Sequence, residues 1–244
     1  RFHPEEKEND DQLARALARL GDVYVNDAFG TAHRSDASTS AVATYFPAHQ
    51  RMLGSLMASE LSNADKVATH PDHPYTAVIG GSKVSDKIQL IRSLMQKADN
   101  IVIGGGMTYT FLKAQGYNIG ASMLESEYLE LAKSLMTEAS QRGVTLYLPE
   151  DSIACEAISG EAAKQVTAGV DVPEKLMGAD IGPKTIEKYS EVIKASRTVF
   201  WNGPVGVFEV EGLQEGTYRL ALAVSDATQN GAFSLIGGGD TATA

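Results

Sequence analysis

The sequence predicts an α/β fold in which parallel sheets are flanked by helices. Short apolar, β-rich runs recur from position 75 onward, most are followed by a helical pattern, and each ends in glycine or other turn residues. The runs are continuous rather than alternating, as expected of strands covered on both faces.

In chain order, the first fifty residues contain one such unit in reverse: a helix from about Asp11 to Leu20, Gly21 as its stop, then a strand over Asp22–Val25. Arg51 to Ala68 reads as one long helix, and Thr69-His70-Pro71-Asp72-His73-Pro74 as a break. A domain boundary is placed there, giving a partial first lobe over 1–50, a connecting helix and hinge over 51–73, and a second lobe over 74–244. Strands are expected at Tyr75–Ile79, Ile101–Ile103, Thr145–Leu148, Thr198–Trp201 and Phe233–Ile236. Between them lie helices from Val84 to about Gln96, Met107 to Gln115, and Glu127 to Arg142 with Ser126 as its N-cap. Pro183 opens another helix, reaching about Ser196, and Gly216 to Asn230 forms the last.

Composition limits what such a fold could serve. The 244 residues carry 21 Lys and Arg against 31 Asp and Glu, a net charge of −10, which disfavours nucleic acid as a partner because phosphate backbones need a basic face. No apolar run nears the roughly 20 residues of a bilayer helix, so no membrane partner is expected. The single cysteine, Cys155, has no internal partner and suggests a reducing compartment, with the thiol buried or partly buried as a structural group. The chain starts at Arg1 and stops at Ala244 just after a glycine run, as expected of an internal segment.

In a doubly wound sheet the ligand sits beyond the carboxyl ends of the strands, and the glycines concentrate there. Four strand ends carry Gly80-Gly81-Ser82-Lys83, Gly104-Gly105-Gly106, Asn202-Gly203-Pro204-Val205-Gly206 and Gly237-Gly238-Gly239-Asp240. Each alone is explained by a tight turn; four on one sheet edge suggest backbone N–H groups brought close to an anion, three of them leading into helix N-termini. Neither G-x-x-x-x-G-K-[ST] nor G-x-G-x-x-G is present, so neither a P-loop nor a dinucleotide fingerprint applies. Lys83 and Lys87, four apart at the expected helix start, would oppose the helix dipole at a cost of roughly 0.3–1 kcal/mol each unless an anionic ligand reverses the sign. Arg1, His33 and Arg34 form a second cationic group, with surface placement as the plainer alternative.

Seven stretches resemble the phosphoglycerate kinase family, in the family's order and across essentially the whole chain. They are Arg1-Phe2-His3-Pro4, Asp22 to Arg34, Gly80 to Ile88, Gly104 to Leu112, Asp180-Ile181-Gly182-Pro183, Trp201 to Glu209, and Gly237-Gly238-Gly239-Asp240-Thr241. The resemblance implies two Rossmann-like lobes, with the N-terminal lobe and the last part of the C-terminal lobe truncated. It implies a glycolytic kinase that moves a phosphoryl group between 1,3-bisphosphoglycerate and ADP, giving 3-phosphoglycerate and ATP with Mg2+, as a cytoplasmic monomer, a plastid location being left open. By motif, Arg1 and Arg34 would bind the acid substrate. Lys83 would stabilise the moving phosphoryl group together with Gly238, and Lys87 would hold nucleotide phosphates. Gly81, Gly105, Gly106 and Gly178 would line the adenosine pocket, Asn202 would lie near the phosphates, and Glu209 would accept the ribose hydroxyls. Gly238, Gly239, Asp240 and Thr241 would complete the nucleotide site, with Asp240 holding the metal.

The family's chain is longer, and its Asp-x-Asn loop, transition-state arginine, His-x-x-Arg motif and last strands do not occur in these residues. The chain alone is therefore expected to be inactive and marginally folded; a noncatalytic nucleotide-binding module is the alternative. Ala179 stands where a larger apolar residue is common, which would loosen packing against an adenine ring.

Overall fold

The computed structural model describes residues 2–244. The chain divides into two compact units, Arg1–Thr69 and His70–Ala244.

In the first unit, helix α1 (Pro4–Lys7) precedes α2 (Asp11–Ala18), whose N-cap Asp10 accepts a hydrogen bond from Leu13 N at 2.7 Å. Strand β1 (Tyr24–Asn26) comes next, then a π-helical turn, Ala37–Ala41, running into α3 (Val42–Thr44). Ala14, Ala37, Val42 and Phe46 are buried together between these elements. The expected single helix over Arg51–Ala68 is corrected. Arg51–Leu53 forms strand β2, parallel to β1 with Val25 opposite Met52, and only Ser55–Ala68 is helical, as α4. Gly54 separates the two because Asp27 comes in beside it: a Cβ there would sit 2.1 Å from Asp27 Cγ. Asp27 Oδ1 accepts from Met57 N at 2.9 Å and so caps α4 from a neighbouring loop.

The second unit is built on a five-stranded, fully parallel sheet of β3 (Tyr75–Ile79), β4 (Asn100–Ile103), β5 (Thr145–Tyr147), β9 (Thr198–Asn202) and β10 (Phe233–Gly237), in spatial order β10-β9-β3-β4-β5. All five expected strands are present to within one residue at each end. All five residues of β3 are 0 % exposed, in keeping with a strand covered on both faces. Helices α5 (Ile88–Leu94), α6 (Thr108–Ala114), α7 (Leu129–Gln141), α8 (Pro183–Lys194), α9 (Glu215–Gln229) and α10 (Gly239–Thr243) complete the unit. One core joins Val78, Val102, Val199 and Trp201 of the sheet to Tyr189 and Ile193 of α8 and Leu220 and Ala223 of α9.

Two further expectations are corrected. Ser126 lies in a 3-10 turn, Ser126–Tyr128, and the residue before α7 is Tyr128, without a side-chain cap. The helix expected from Val84 starts only at Ile88; Val84–Lys87 is a turn closed by Lys87 N to Val84 O at 2.9 Å, so Lys83 and Lys87 do not share a helix face. The sequence reading also missed a second sheet, antiparallel in order β7-β6-β8, formed by β6 (Ser152–Cys155), β7 (Lys164–Val166) and β8 (Met177–Ile181). Cys155 is buried in it, and burial pushes its thiol up from the ordinary value.

Between β5 and β6, Asp151 ties this second sheet to α8. Its carboxylate is almost fully buried and accepts from Thr185 N at 2.9 Å, Thr185 Oγ1 at 2.7 Å and Lys184 N at 3.1 Å, capping a helix that opens on Pro183. Asp151→Ala leaves these donors unpaired and is expected to cost about 2–4 kcal/mol. Urea unfolding checks this: the midpoint falls with an unchanged slope.

Candidate functional site

Register brings the glycine runs together. Ile79 pairs with Ile103 on one side and Asn202 on the other, and Asn202 pairs with Gly237, so four strands end level. The chain order reverses between β3 and β9, which places a crevice outside their carboxyl ends.

Backbone meets backbone at that crevice. A Cβ on Gly80 would lie 2.0 Å from Pro204 O, and one on Gly203, where φ is +95°, would lie 2.3 Å from Gly80 O. Gly80 N donates to Asn202 O at 3.0 Å, Gly81 N to Pro204 O at 3.1 Å and Gly105 N to Val205 O at 2.9 Å. Gly203 N donates to Thr241 Oγ1 at 2.7 Å, and Val205 N to Thr217 Oγ1 at 3.2 Å. The idea that all these glycines offer free N–H groups to an anion is thus corrected. Most N–H groups stitch the turns to one another, whereas those of Gly106, Gly206, Gly238 and Gly239 have no protein acceptor among the described residues.

Above the stitched turns lies a cleft of about 400 Å³, a size common for small-molecule sites. Gly81, Gly105, Gly106, Gly178, Glu209 and Asp240 all line it. Lys87 and Asn202 join across the switch point, Lys87 Nζ donating to Asn202 Oδ1 at 2.5 Å. Thr241 is buried and serves the Gly203 turn through its hydroxyl. Gly238 precedes α10 with φ +92°. Lys83 is exposed and has no hydrogen-bond or ion-pair partner among the described residues. Arg34 is exposed in the first unit, and Arg1 lies outside the described residues.

The cleft contains residues the sequence reading did not single out: Tyr109, Met123, Ile158, Met177, Val207 and Phe208. Tyr109, Val207 and Phe208 fall within stretches that resemble the family, yet only the fold shows their part. The Tyr109 hydroxyl donates to Ser152 Oγ at 3.2 Å, burial pushes the phenol up to about 12, and a Cβ on Gly178 would lie 1.8 Å from that oxygen. Gly178 is therefore small because Tyr109 fills the space behind it. Its N–H donates to Ser122 Oγ at 2.9 Å. Ile158 and Met177 reach the cleft through the antiparallel sheet, for which no local sequence signal existed.

Among the described residues, no three His, Cys, Asp or Glu side chains converge on a metal position. Asp240 and Glu209 are the two carboxylates lining the cleft, and a single hard-oxygen group such as Asp240 suits Mg2+ held by one carboxylate, waters and a ligand's phosphate oxygens.

The fold and the carboxyl-edge cleft define a doubly wound α/β protein with a cleft of small-molecule size at its switch point. The sequence model of the family described as phosphoglycerate kinase matches residues 1–244, and the chain belongs to that family. Curated phosphoglycerate kinases from Prosthecochloris aestuarii and Chloroflexus aggregans are 48% and 49% identical over the full 244 residues. The chain spans 61% and 60% of their lengths. A solved phosphoglycerate kinase from Coxiella burnetii superposes with a TM-score of 0.89 at 41% identity, covering 100% of this chain and 61% of that one. The Pyrococcus horikoshii enzyme gives 0.82 at 28% identity, covering 99% and 61%.

Beneath the cleft, Asp180 is 2% exposed and accepts from Gly216 N at 2.7 Å and Ile181 N at 2.9 Å. Burial raises its pKa to about 7, with the Glu215 charge adding and the two N–H donors opposing. The folded protein then holds a proton that the unfolded chain releases near 3.8, so the stability of the protonated form is lost as pH rises from about 4 to about 7. Between pH 5 and 7, the unfolding free energy is expected to fall with a slope of at most roughly 1.4 kcal/mol per pH unit, more steeply in the wild type than in Asp180→Asn. Denaturant titrations at stepped pH check the difference.

Proposed function

We propose that this chain is the larger part of a glycolytic phosphoglycerate kinase. Its reaction is reversible transfer of the acyl phosphate of 1,3-bisphosphoglycerate to ADP, forming 3-phosphoglycerate and ATP. The phosphorus bond to the acyl oxygen breaks, one to the β-phosphate oxygen of ADP forms, and the carboxylate leaves. The observation that carries the reading is the Lys87–Asn202 pair at the switch point, beside a cleft with an apolar wall and exposed carboxylates.

Each group has a part that its chemistry supports. Met123, Ile158, Met177, Val207 and Phe208 offer an apolar slot for a flat base over Gly178. Glu209, exposed at the mouth, accepts hydroxyl donors of a ribose. Lys87 neutralises nucleotide phosphates, and the uncommitted N–H groups of Gly106, Gly238 and Gly239 add neutral donors. Lys83, unpartnered and exposed, is the cation for the moving phosphoryl group. Mg2+, when bound, neutralises phosphate charge during transfer, and Asp240 is the carboxylate to hold it. Arg34, with Arg1, serves the acid substrate through guanidinium forks suited to phosphate and carboxylate. Such a reaction asks for positioning and charge neutralisation and uses no protein nucleophile, so buried Cys155 has no chemical part. The reading includes a monomer in the cytoplasm.

Lys87→Ala is expected to weaken MgADP binding by the 244-residue chain about 10–100-fold in calorimetric titration, from the loss of one charge-assisted phosphate contact. The chain alone is expected to form no ATP from 1,3-bisphosphoglycerate and ADP, whereas a protein extended to the relatives' length does. Wild-type chain that gives no heat with MgADP, or an inactive extended protein, would contradict the reading.

A further inference from the structure

Glu125 lies far in sequence from the two lysines of the site, between α6 and the 3-10 turn that precedes α7. Its carboxylate nevertheless closes on the segment between them. Oε2 accepts from Val84 N at 2.5 Å and from Ser85 N at 3.2 Å, while Oε1 accepts from Ser85 Oγ at 2.6 Å. Its own N–H donates to Thr110 Oγ1 at 3.2 Å, fastening it to α6. Both carboxylate oxygens are thus occupied by neutral donors, and no ion pair joins Glu125 to Lys83 or Lys87 among the described residues.

The turn so gripped is the one that carries the lysines. Lys83 stands immediately before Val84, and Lys87 closes the turn through its N–H to Val84 O. On its other side the chain is Gly80-Gly81-Ser82, which has little stiffness of its own. Val84 is fully buried, so the clamp acts on an anchored backbone.

We propose that Glu125 is a positioning residue for the phosphate-binding lysines. Its carboxylate fixes the Val84–Lys87 turn and holds both ammonium groups toward an anionic ligand without neutralising either. The proposal rests on the phosphate reading of Lys83 and Lys87 given above. Binding gains when flexible cations start from a set backbone, because less freedom remains to be lost on contact.

Calorimetric titration of the 244-residue chain with MgADP tests this in a double-mutant cycle of Glu125→Gln and Lys87→Ala. Glutamine offers one acceptor oxygen and turns an amide donor toward a backbone N–H, so Glu125→Gln is expected to weaken MgADP about tenfold in the wild-type background. If the effect runs through Lys87, it shrinks to about threefold or less when Lys87 is already alanine. Ser85→Ala, which removes one donor and leaves the carboxylate, is expected to weaken binding about two- to threefold and takes the place of Glu125→Gln in the cycle should that variant not fold. Equal affinity in wild type and Glu125→Gln overturns the proposal, as does the same fold-loss on both backgrounds, the mark of general destabilisation. A wild-type chain that binds no MgADP instead overturns the phosphate reading on which the proposal stands.

Discussion

The contact between Gly80 and Gly203 is the constraint on which the rest of this site depends. The neighbouring parallel strands β3 and β9 end side by side, and their following turns touch backbone to backbone with no room for a Cβ on either. Because the turns touch, Gly81 and Gly105 can donate to carbonyls of the 203–205 segment, and Thr217 and Thr241 can hold that segment from α9 and α10. The crevice that every doubly wound sheet leaves at its switch point is here floored by a rigid backbone lattice. A large side chain in either turn would fill the crevice and part the strands.

The lattice also changes what the glycines mean. A glycine-rich strand end invites the thought of free amides around a phosphate, yet here most of those amides are already bonded to protein. In the proposed function, charge neutralisation consequently falls to a few side chains, Lys83, Lys87 and Arg34, within a chain whose net charge is −10. Those cations are local, and the long-range field of the molecule opposes the anions it is proposed to bind. Glu125 fits this economy of charge: a carboxylate beside two lysines would ordinarily cancel one of them, but this one is turned onto backbone donors.

Much of this was legible in the sequence. The parallel strands show as apolar runs, most completely β3 and β4 at the buried centre of the sheet, and the glycines that follow four of the five strands mark the sheet edge that holds the cleft. The antiparallel sheet did not show, since β7 is three residues of mixed polarity and β6 pairs with β8 only through a register shift between Ile153 and Ala154. Helix starts were misplaced where the capping group is remote: Asp27 caps α4, and Glu125 orders the turn before α5, from residues about 30 and 40 positions away. No local pattern encodes such partners. Tyr109 and Ile158 belong to the same class, because a cleft wall assembled from separate elements is a property of topology.

Amide NMR of the isotopically labelled 244-residue chain, titrated with MgADP, would locate the nucleotide on the backbone lattice. Shifts are expected at Gly106, Gly238 and Gly239, whose N–H groups are uncommitted, with smaller changes at the stitched Gly80, Gly81 and Gly105 and none at α2 in the first unit. Shifts centred away from the carboxyl edge of the parallel sheet, or no saturable shifts at all, would contradict the account.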